Sequence, residues 1–215
     1  MRVLIAFEYS GVIRDAFIRE GHDAWSCDLL PGEGEYHKQH HVGDVFQFLR
    51  RGWMFDLIVA HPPCTYLSNS GAKHLYQSRL VMMPSGKFQM QNRKVHGIDL
   101  ARWKNMEEAA AFFNRVLDIK CPRLCVENPV QHEQAILRIP RRYTQTIQPH
   151  EYGHRELKTT HLWLRGLPPL VPTNPLPPPY RTSVHDMGPS PTRGKDRAKT
   201  FSGWADAMST QWGNL

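Results

Sequence analysis

Cysteine is scarce in this 215-residue sequence, which contains four: Cys27, Cys64, Cys121 and Cys125. Small secreted domains that depend on disulfides use cysteine far more densely, so we expect reduced thiols and no disulfide framework. Cys121 and Cys125 are not matched by a second Cys or His pair at zinc-ligand spacing. We therefore predict no metal site.

Long apolar runs and a signal-peptide pattern are also missing. No stretch approaches the length of a membrane-spanning helix, and the sequence opens directly on a strand-like apolar run. Hydrophobic residues make up 40% and charged residues 22% of the sequence, which is typical of a globular protein. We expect a cytoplasmic protein with a single domain over residues 1–215.

Acidic residues are outnumbered by basic ones, 20 Asp and Glu against 27 Lys and Arg, which gives a net charge of +7. In residues 69–104 the only acid is Asp99. Such a surplus predicts a polyanionic partner, because Lys and Arg facing phosphates release condensed counterions. We predict a long basic loop or lid here, with Tyr76, Phe88 and Trp103 available to stack on bases.

Apolar runs alternate with amphipathic segments along most of the chain. Strands are predicted at residues 2–7, 23–27, 56–60, 123–126 and 161–164, and helices at residues 12–20, 45–51, 106–119 and 203–212. This alternation predicts an α/β fold, a Rossmann-like, mostly parallel sheet with helices on both faces. A proline-rich segment at 168–200 is expected to form an extended surface tether, since its dense prolines suit neither helix nor central strand.

Polar and reactive residues follow the ends of several predicted strands. They are Gly11, Asp28, Asp44, Cys64 and Glu127. Ligands of parallel sheets bind beyond the carboxyl ends of the strands, so these positions predict a binding site there. Two prolines before Cys64 force the chain out of the sheet, which favours an accessible thiol over a core residue.

Two of these strand exits resemble motifs of the cytosine-5 DNA methyltransferases. Residues 63–68 (PCTYLS) are similar to the nucleophile motif, in which Pro-Cys is followed four residues after the Cys by Ser. Glu127-Asn128 after an apolar strand is similar to the acid motif, and residues 7–11 (FEYSG) look like a degenerate first motif. The order of these motifs agrees with that family, and the resemblance extends to about residue 164.

The resemblance implies a methyltransferase that uses S-adenosyl-L-methionine and acts on carbon 5 of cytosine in DNA through a covalent Cys adduct. Cys64 is the implied nucleophile, Glu127 the implied acid, and Lys158 stands where the family has an arginine. The implied cofactor-binding residues are Phe7, Glu8, Tyr9, Gly11, Asp28, Asp44 and Pro62.

The sequence also departs from that family. Glu8 and Tyr9 replace the small residues and glycine of the first motif, and the usual target-recognition domain is missing before the terminal helix. The chain therefore resembles a small, phage-like member. It is expected to act on single strands or an extruded base, or with a separate specificity partner. Three alternatives stay open: modification of a free pyrimidine nucleotide, an amino-group methyltransferase, and an inactive nucleic-acid-binding module. The motif of the second, an acidic or Asn residue followed by two prolines and an aromatic, is broken at both ends by His61-Pro62-Pro63-Cys64.

Overall fold

The computed structural model describes residues 1–92, 94–188 and 190–215. Within these ranges the side chains left undescribed are those of Lys73, Asn92, Val95 and His185. The chain divides into two compact units. Unit 1 comprises Met1–Pro62, Ile119–Glu127 and Tyr143–Leu215, and unit 2 comprises Pro63–Asp118 and Asn128–Arg142. A single domain over residues 1–215 stays a prediction.

The elements are numbered in chain order. The strands are β1 (Arg2–Ala6), β2 (Asp23–Asp28), β3 (His40–Val42), β4 (Leu57–Ala60), β5 (Ser78–Met82), β6 (Phe88–Asn92), β7 (Arg123–Pro129), β8 (Gln145–Ile147) and β9 (Thr160–Arg165). The α-helices are α1 (Val12–Arg19), α2 (Val45–Leu49), α3 (Leu100–Leu117), α4 (Glu133–Ile136), α5 (Ser183–Asp186), α6 (Arg193–Ala198) and α7 (Ser202–Trp212). Short 3-10 helices cover Asn69–Leu75, Lys94–His96 and Pro149–Glu151.

Unit 1 is built on a seven-stranded sheet with the order β3-β2-β1-β4-β7-β9-β8. Pairing is parallel from β3 through β7, and β8 runs antiparallel to β9. The apolar residues of β1 and β4 are completely or almost completely buried, as expected for strands covered on both faces. α1 and α7 belong to the same core as these strands. The predicted α/β fold with a mostly parallel sheet is confirmed.

The strand order reverses at β1, with β2 and β3 on one side and β4 and β7 on the other. Where the order reverses, the carboxyl ends of neighbouring strands diverge into a crevice that binds ligands in sheets of this type. Ala6 and Ala60 are paired at these ends of β1 and β4. The segments that follow Ala6 and Ala60 therefore begin where sheets of this type bind ligands.

Residues 69–104, expected to form a loop, instead contain regular structure in unit 2. They hold a 3-10 helix, the antiparallel β5–β6 hairpin and the beginning of α3 at Leu100 rather than near residue 106. α3 begins early because Asp99 Oδ1 accepts the N–H of Arg102 at 2.9 Å, which caps the helix. Arg93, one of the basic residues of this segment, lies outside the described residues.

The proline-dense run at residues 168–179 is fastened to unit 1 rather than loosely tethered. Leu170 is buried, and its backbone exchanges hydrogen bonds with the Gln145 side chain at 2.7 and 2.8 Å. Trp212 Nε1 of α7 donates to the Pro168 carbonyl at 3.0 Å. Farther along, α5 and α6 fall in residues 180–200, of which Pro189 lies outside the described residues.

Among the described residues, no helix combines the length and the apolar character needed to cross a membrane.

Candidate active site

The chain leaves β1 through a sharp turn at Phe7. Its φ is 61°, a left-handed conformation that costs a residue with a side chain roughly 1–3 kcal/mol. The Phe7 N–H donates to the Cys27 carbonyl at 2.7 Å, so the turn is fixed against the end of β2. The half-buried Phe7 ring lies 6.4 Å from the Phe46 ring, centroid to centroid. The turn aims the next residues beyond the edge of the sheet.

Glu8 is buried and caps α1 from outside the helix. Its carboxylate accepts the N–H groups of Ile13 at 2.8 Å and Arg14 at 3.4 Å. The N-cap position itself is Gly11, which has no side chain to offer. Burial raises the pKa of Glu8, although the charge of His61 and the two N–H bonds act in the opposite direction. The departure from the first motif at Glu8 therefore has a structural role at the helix end.

Gly11 is required by its surroundings as well as by its φ of 74°. A Cβ there would lie 2.2 Å from Arg14 Nη2 and 2.6 Å from the Glu33 carbonyl oxygen. The fully buried Arg14 guanidinium donates to Asp15 and Ser26 at 2.8 Å each, and to the Glu33 carbonyl at 2.6 Å. Arg14 thus joins α1 to β2 and to the loop after β2.

Tyr9 points toward α6 near the end of the chain. Its hydroxyl donates to the Lys195 carbonyl at 2.9 Å, and the Lys195 ammonium lies 5.9 Å from the centre of the Tyr9 ring. Burial, together with nearby carboxylates, raises the pKa of Tyr9. Lys199 Nζ lies 3.2 Å from Glu33 Oε2. The α6 segment is therefore fastened to the loops after β1 and β2.

Asp28 and Asp44 lie at or just after strand ends, as the sequence predicts. Asp28 ends β2, is half-buried, and accepts the Leu30 N–H at 2.9 Å. Asp44 is exposed and caps α2 by accepting the Gln47 N–H at 2.8 Å. Their contacts with a ribose and an adenine stay predictions.

His61 and Glu127 form a hydrogen bond between two neighbouring strands. β4 and β7 pair in parallel with Ala60 opposite Val126. His61 is the first residue after β4, whereas Glu127 lies inside β7, which continues to Pro129 rather than ending at residue 126 as predicted. His61 Nδ1 lies 2.8 Å from Glu127 Oε2, and the two side chains are 11% and 13% exposed. The strand register therefore brings an imidazole and a carboxylate together at the edge of the sheet.

The pKa of Glu127 is subject to opposing effects. Burial acts to raise its pKa, but the hydrogen bond and charge of His61, with the charge of Lys158, bring the pKa below its ordinary value. An ionised carboxylate only accepts hydrogen bonds, so His61 Nδ1 carries the proton between them.

The second ring nitrogen of His61, Nε2, is buried and has no hydrogen-bond partner among the described residues. Such an atom in a folded protein calls for a water or a ligand. The motifs in the sequence did not single out His61. Its position directly after a buried strand, which matches the position of Glu127, is the signal that could have found it.

Lys158, the third predicted catalytic residue, belongs to unit 1 with Glu127. Its Nζ donates to the Arg197 carbonyl of α6 at 3.0 Å and lies 5.7 and 6.0 Å from the ring centres of Phe201 and Trp204. Lys158 therefore links the C-terminal segment electrostatically to Glu127.

Cys64 belongs to unit 2 and is half-buried rather than a core residue. Its carbonyl accepts the N–H groups of Leu67 at 3.0 Å and Ser68 at 2.9 Å, which closes a tight turn. Leu67 is completely buried, and its carbonyl accepts the N–H of His132 at 3.0 Å. The thiol is therefore carried on a turn that is fixed by the buried Leu67 side chain and by the hydrogen bond between Leu67 and His132.

Arg102, in the first turn of α3, fixes the same segment. Its Nη2 donates to the Thr65 carbonyl at 3.1 Å, and its guanidinium lies 4.4 Å from the centre of the Tyr66 ring. Gly71 allows this approach, because a Cβ there would lie 3.1 Å from Arg102 Nη2. A basic residue of the 69–104 segment thus holds the residues next to Cys64.

Asn128 and Gln131 add buried amides to unit 2. Neither polar atom of the Asn128 side chain, nor Gln131 Nε2, has a hydrogen-bond partner among the described residues. Gln131 forms an isolated bridge with Ser68 of the Cys64 turn. Pro62, a predicted cofactor residue, is buried at the end of the first segment of unit 1.

The part of the chain that the structure describes contains no group of three or more His, Cys, Asp or Glu residues that could hold a metal ion.

No protein-family model and no curated protein matches this chain. Among solved structures, a proposed DNA modification methyltransferase encoded within an E. coli prophage is 14% identical over 76% of this chain and 46% of its own, with a TM-score of 0.43. A mutant of Spodoptera frugiperda DNMT2 is 12% identical over 88% of this chain and 60% of its own, with a TM-score of 0.35. This chain thus spans about half the length of these structures, and its fold assignment rests on its own strand order and pairing.

Proposed function

We propose that this chain transfers a methyl group from S-adenosyl-L-methionine to carbon 5 of cytosine in DNA, with Cys64 as the nucleophile. The observation that carries the proposal is the parallel pairing of β4 with β7, in which Ala60 lies opposite Val126. The Pro-Pro-Cys segment begins two residues beyond Ala60, and Glu127 directly follows Val126. The Cys64 motif thus begins just after β4, and the Glu127 motif lies within the neighbouring strand β7.

Carbon 5 of cytosine is a poor nucleophile until the ring is activated. The Cys64 thiolate adds to carbon 6, the electrons of the 5,6 double bond move toward carbon 5, and ring nitrogen 3 takes a proton. After carbon 5 has accepted the methyl group it loses its own proton to a base, nitrogen 3 gives back the proton that it took, the sulfur–carbon bond breaks, and the 5,6 double bond and the thiolate are restored. The protein must therefore supply a thiolate and a proton at opposite sides of one ring.

Glu127 and His61 together are suited to the proton transfer. Because its pKa is lowered, Glu127 is ionised at neutral pH and cannot by itself act as a lasting source of protons. When His61 is protonated on both ring nitrogens, its Nδ1 proton, 2.8 Å from Glu127, can pass to the carboxylate and from it to nitrogen 3 of the base, which leaves a neutral imidazole protonated on Nε2. His61 is thus the group that recharges the acid.

The residues after β1 and β2 fit S-adenosyl-L-methionine. The half-buried Asp28 carboxylate lies at the end of β2, where sheets of this type bind a ribose, and Phe7 offers a half-buried aromatic ring in the β1 exit. Glu8 already takes the N–H groups of Ile13 and Arg14, so these groups do not serve the cofactor. When bound, this cofactor supplies an electrophilic methyl group.

Trapping with DNA that contains 5-fluorocytosine tests the proposal, because fluorine cannot leave carbon 5 as the proton does. Wild-type protein with S-adenosyl-L-methionine is expected to form a stable covalent adduct. Cys64→Ala should form none, whereas Cys121→Ala, which removes another half-buried thiol, should form the adduct normally. Lack of an adduct with the wild type, or an equal yield with Cys64→Ala, contradicts the proposal.

Two further measurements separate the alternatives. Labelled methyl transfer to DNA but not to dCMP supports the proposal, and the reverse result establishes modification of a free nucleotide. Calorimetry with S-adenosyl-L-methionine that detects no binding would favour an inactive nucleic-acid-binding module.

A further inference from the structure

The β5–β6 hairpin exposes a continuous apolar face. Side chains alternate between the two faces of a strand, so the directly opposed pairs Leu80–Met90 and Met82–Phe88 lie on the same face. Each of these four side chains is between 58% and 66% exposed. Single exposed apolar residues are ordinary, but four neighbours on one face mark a binding surface.

The turn and base of the hairpin are held by backbone hydrogen bonds. At the tip, the Met83 N–H donates to the Lys87 carbonyl at 2.8 Å, and Gly86 takes a φ of 75° to complete the turn. At the base, the Gln77 N–H donates to the Gly97 carbonyl at 2.9 Å. An isolated two-stranded hairpin is only marginally stable, and the exposed side chains of this one bury little apolar surface. The backbone hydrogen bonds at its tip and base therefore help to keep it folded.

The charge around this face favours a polyanion as the partner. No Asp or Glu occurs in the sequence between Asp56 and Asp99. The hairpin itself carries Lys87 beside β6 and, on the opposite face of β5 from Leu80, Arg79; both are exposed. A second copy of this chain would bring like charges together, whereas nucleic acid offers phosphates for the cations and base faces for the apolar side chains.

We infer that the β5–β6 hairpin enters duplex DNA and inserts apolar side chains, led by Met82 and Phe88, between base pairs, while Arg79 and Lys87 contact the flanking phosphates. Proteins that wedge apolar residues into a base step must unstack the bases, and burial of that apolar surface offsets the cost. The inference rests on the proposed function for DNA as the substrate. It supplies a way to open the duplex.

The test uses the full chain and a short DNA duplex that contains 2-aminopurine, which brightens when it is unstacked. No methyl donor is added, so methyl transfer does not affect the result. Met82→Ser/Phe88→Ser is compared with Met54→Ser/Leu137→Ser, a control that removes two comparably exposed apolar side chains elsewhere. Equal melting temperatures of the two variants establish that both are folded.

Wild type and control are expected to bind the duplex and raise the 2-aminopurine fluorescence. The hairpin variant should lose the rise and bind roughly tenfold or more weakly, as expected for two apolar side chains that are no longer buried. Arg79→Gln/Lys87→Gln should instead reduce the slope of log affinity against log salt by about one for each phosphate that the variant no longer neutralises.

Equal fluorescence and affinity for the hairpin variant and the control would overturn the inference. So would self-association of the wild type that the hairpin variant abolishes, because the face would then be a protein interface. A normal fluorescence rise without 5-fluorocytosine trapping would contradict methyl transfer and leave the hairpin inference standing. The two proposals can therefore fail separately.

Discussion

At the scale of single residues, His61 is the side chain that changes the chemistry of its neighbours. It hydrogen-bonds Glu127 through Nδ1, acts on the pKa of Glu8 by its charge, and keeps a buried Nε2 without a partner among the described residues. One imidazole thus influences a carboxyl that follows β1 and a carboxyl within β7.

His61→Gln tests this role in the proposed reaction. Glutamine can still hydrogen-bond Glu127 but cannot give it a proton, so methyl transfer is expected to fall by about 10²- to 10⁴-fold. S-adenosyl-L-methionine affinity should change little. His161→Gln, a change at a half-buried histidine stacked on Tyr143 with 3.8 Å between ring centroids, controls for the loss of a packed ring. A loss of cofactor binding that parallels the loss of activity would show that His61 is merely structural.

Glu127 and Glu8 should make opposite contributions to stability as pH changes. The pKa of Glu127 lies below 4.5 in the folded protein. Its stabilising effect is therefore fully present above that value and is lost as pH falls through the folded pKa. Burial places the pKa of Glu8 above 4.5, so its contribution is greatest at low pH and declines as pH rises through the folded pKa.

Urea unfolding of Glu127→Gln and Glu8→Gln across the acidic range measures this difference. As pH falls, the free energy of unfolding of wild type relative to Glu127→Gln should decrease, and that relative to Glu8→Gln should increase. Parallel curves for the two variants would refute the assignment of opposite shifts.

At the scale of elements, the β1–α1 connection depends on close approach of the backbone. Gly11→Ala places a Cβ 2.2 Å from Arg14 Nη2 at a φ of 74°. We expect a loss of roughly 2–4 kcal/mol in the free energy of unfolding, from the left-handed φ and the displaced guanidinium together.

Gly21→Ala is the matched control, because its φ is 83° and nothing lies within 4 Å of the added Cβ. It should cost only about 1 kcal/mol, the penalty of the φ alone. If urea unfolding gives equal losses in the free energy of unfolding for the two variants, the clash with Arg14 does not contribute to the destabilisation.

The elements that the sequence predicts best are those with a strong local pattern. β1, β4 and β7 are continuous apolar runs because both faces of the sheet are covered. β3 and β8 are three-residue strands that exist through pairing with a neighbour, so no local period marks them. The first turns of α3 depend on one cap at Asp99, and an apolar period does not detect that cap.

In the candidate site, too, the sequence predicts residues that follow a local pattern but not the contacts that depend on distant parts of the chain. The sequence identifies Asp28 and Glu127 because each follows an apolar run, although both belong to the strands β2 and β7 themselves. The partnership of Glu127 with His61 depends instead on the register of β4 against β7, which is set across residues far apart in the chain. The attachment of Tyr9 to α6 is equally invisible in the sequence, because a carbonyl 186 residues away accepts its hydrogen bond.

At the scale of the whole molecule, the C-terminal segment closes back on the start of the chain within unit 1. Tyr9→Phe removes the hydroxyl that holds the Lys195 carbonyl, and should raise the rate of trypsin cleavage after the basic residues of α6 several-fold, for a bond worth about 1 kcal/mol. Tyr180→Phe, which loses a comparable bond to the Leu176 carbonyl, is the control and should leave that rate unchanged. Equal cleavage rates in wild type and Tyr9→Phe would argue against the Tyr9 hydrogen bond.

Through Lys158, the position of α6 affects the ionisation of Glu127. The ammonium that helps keep Glu127 ionised is itself held by a carbonyl of α6, a short helix without a buried residue. If α6 were drawn aside, the ammonium would lose its tether, and the proton affinity of Glu127 would rise. A molecule that binds α6 and displaces it would thereby raise the pKa of Glu127, a carboxyl on the central sheet.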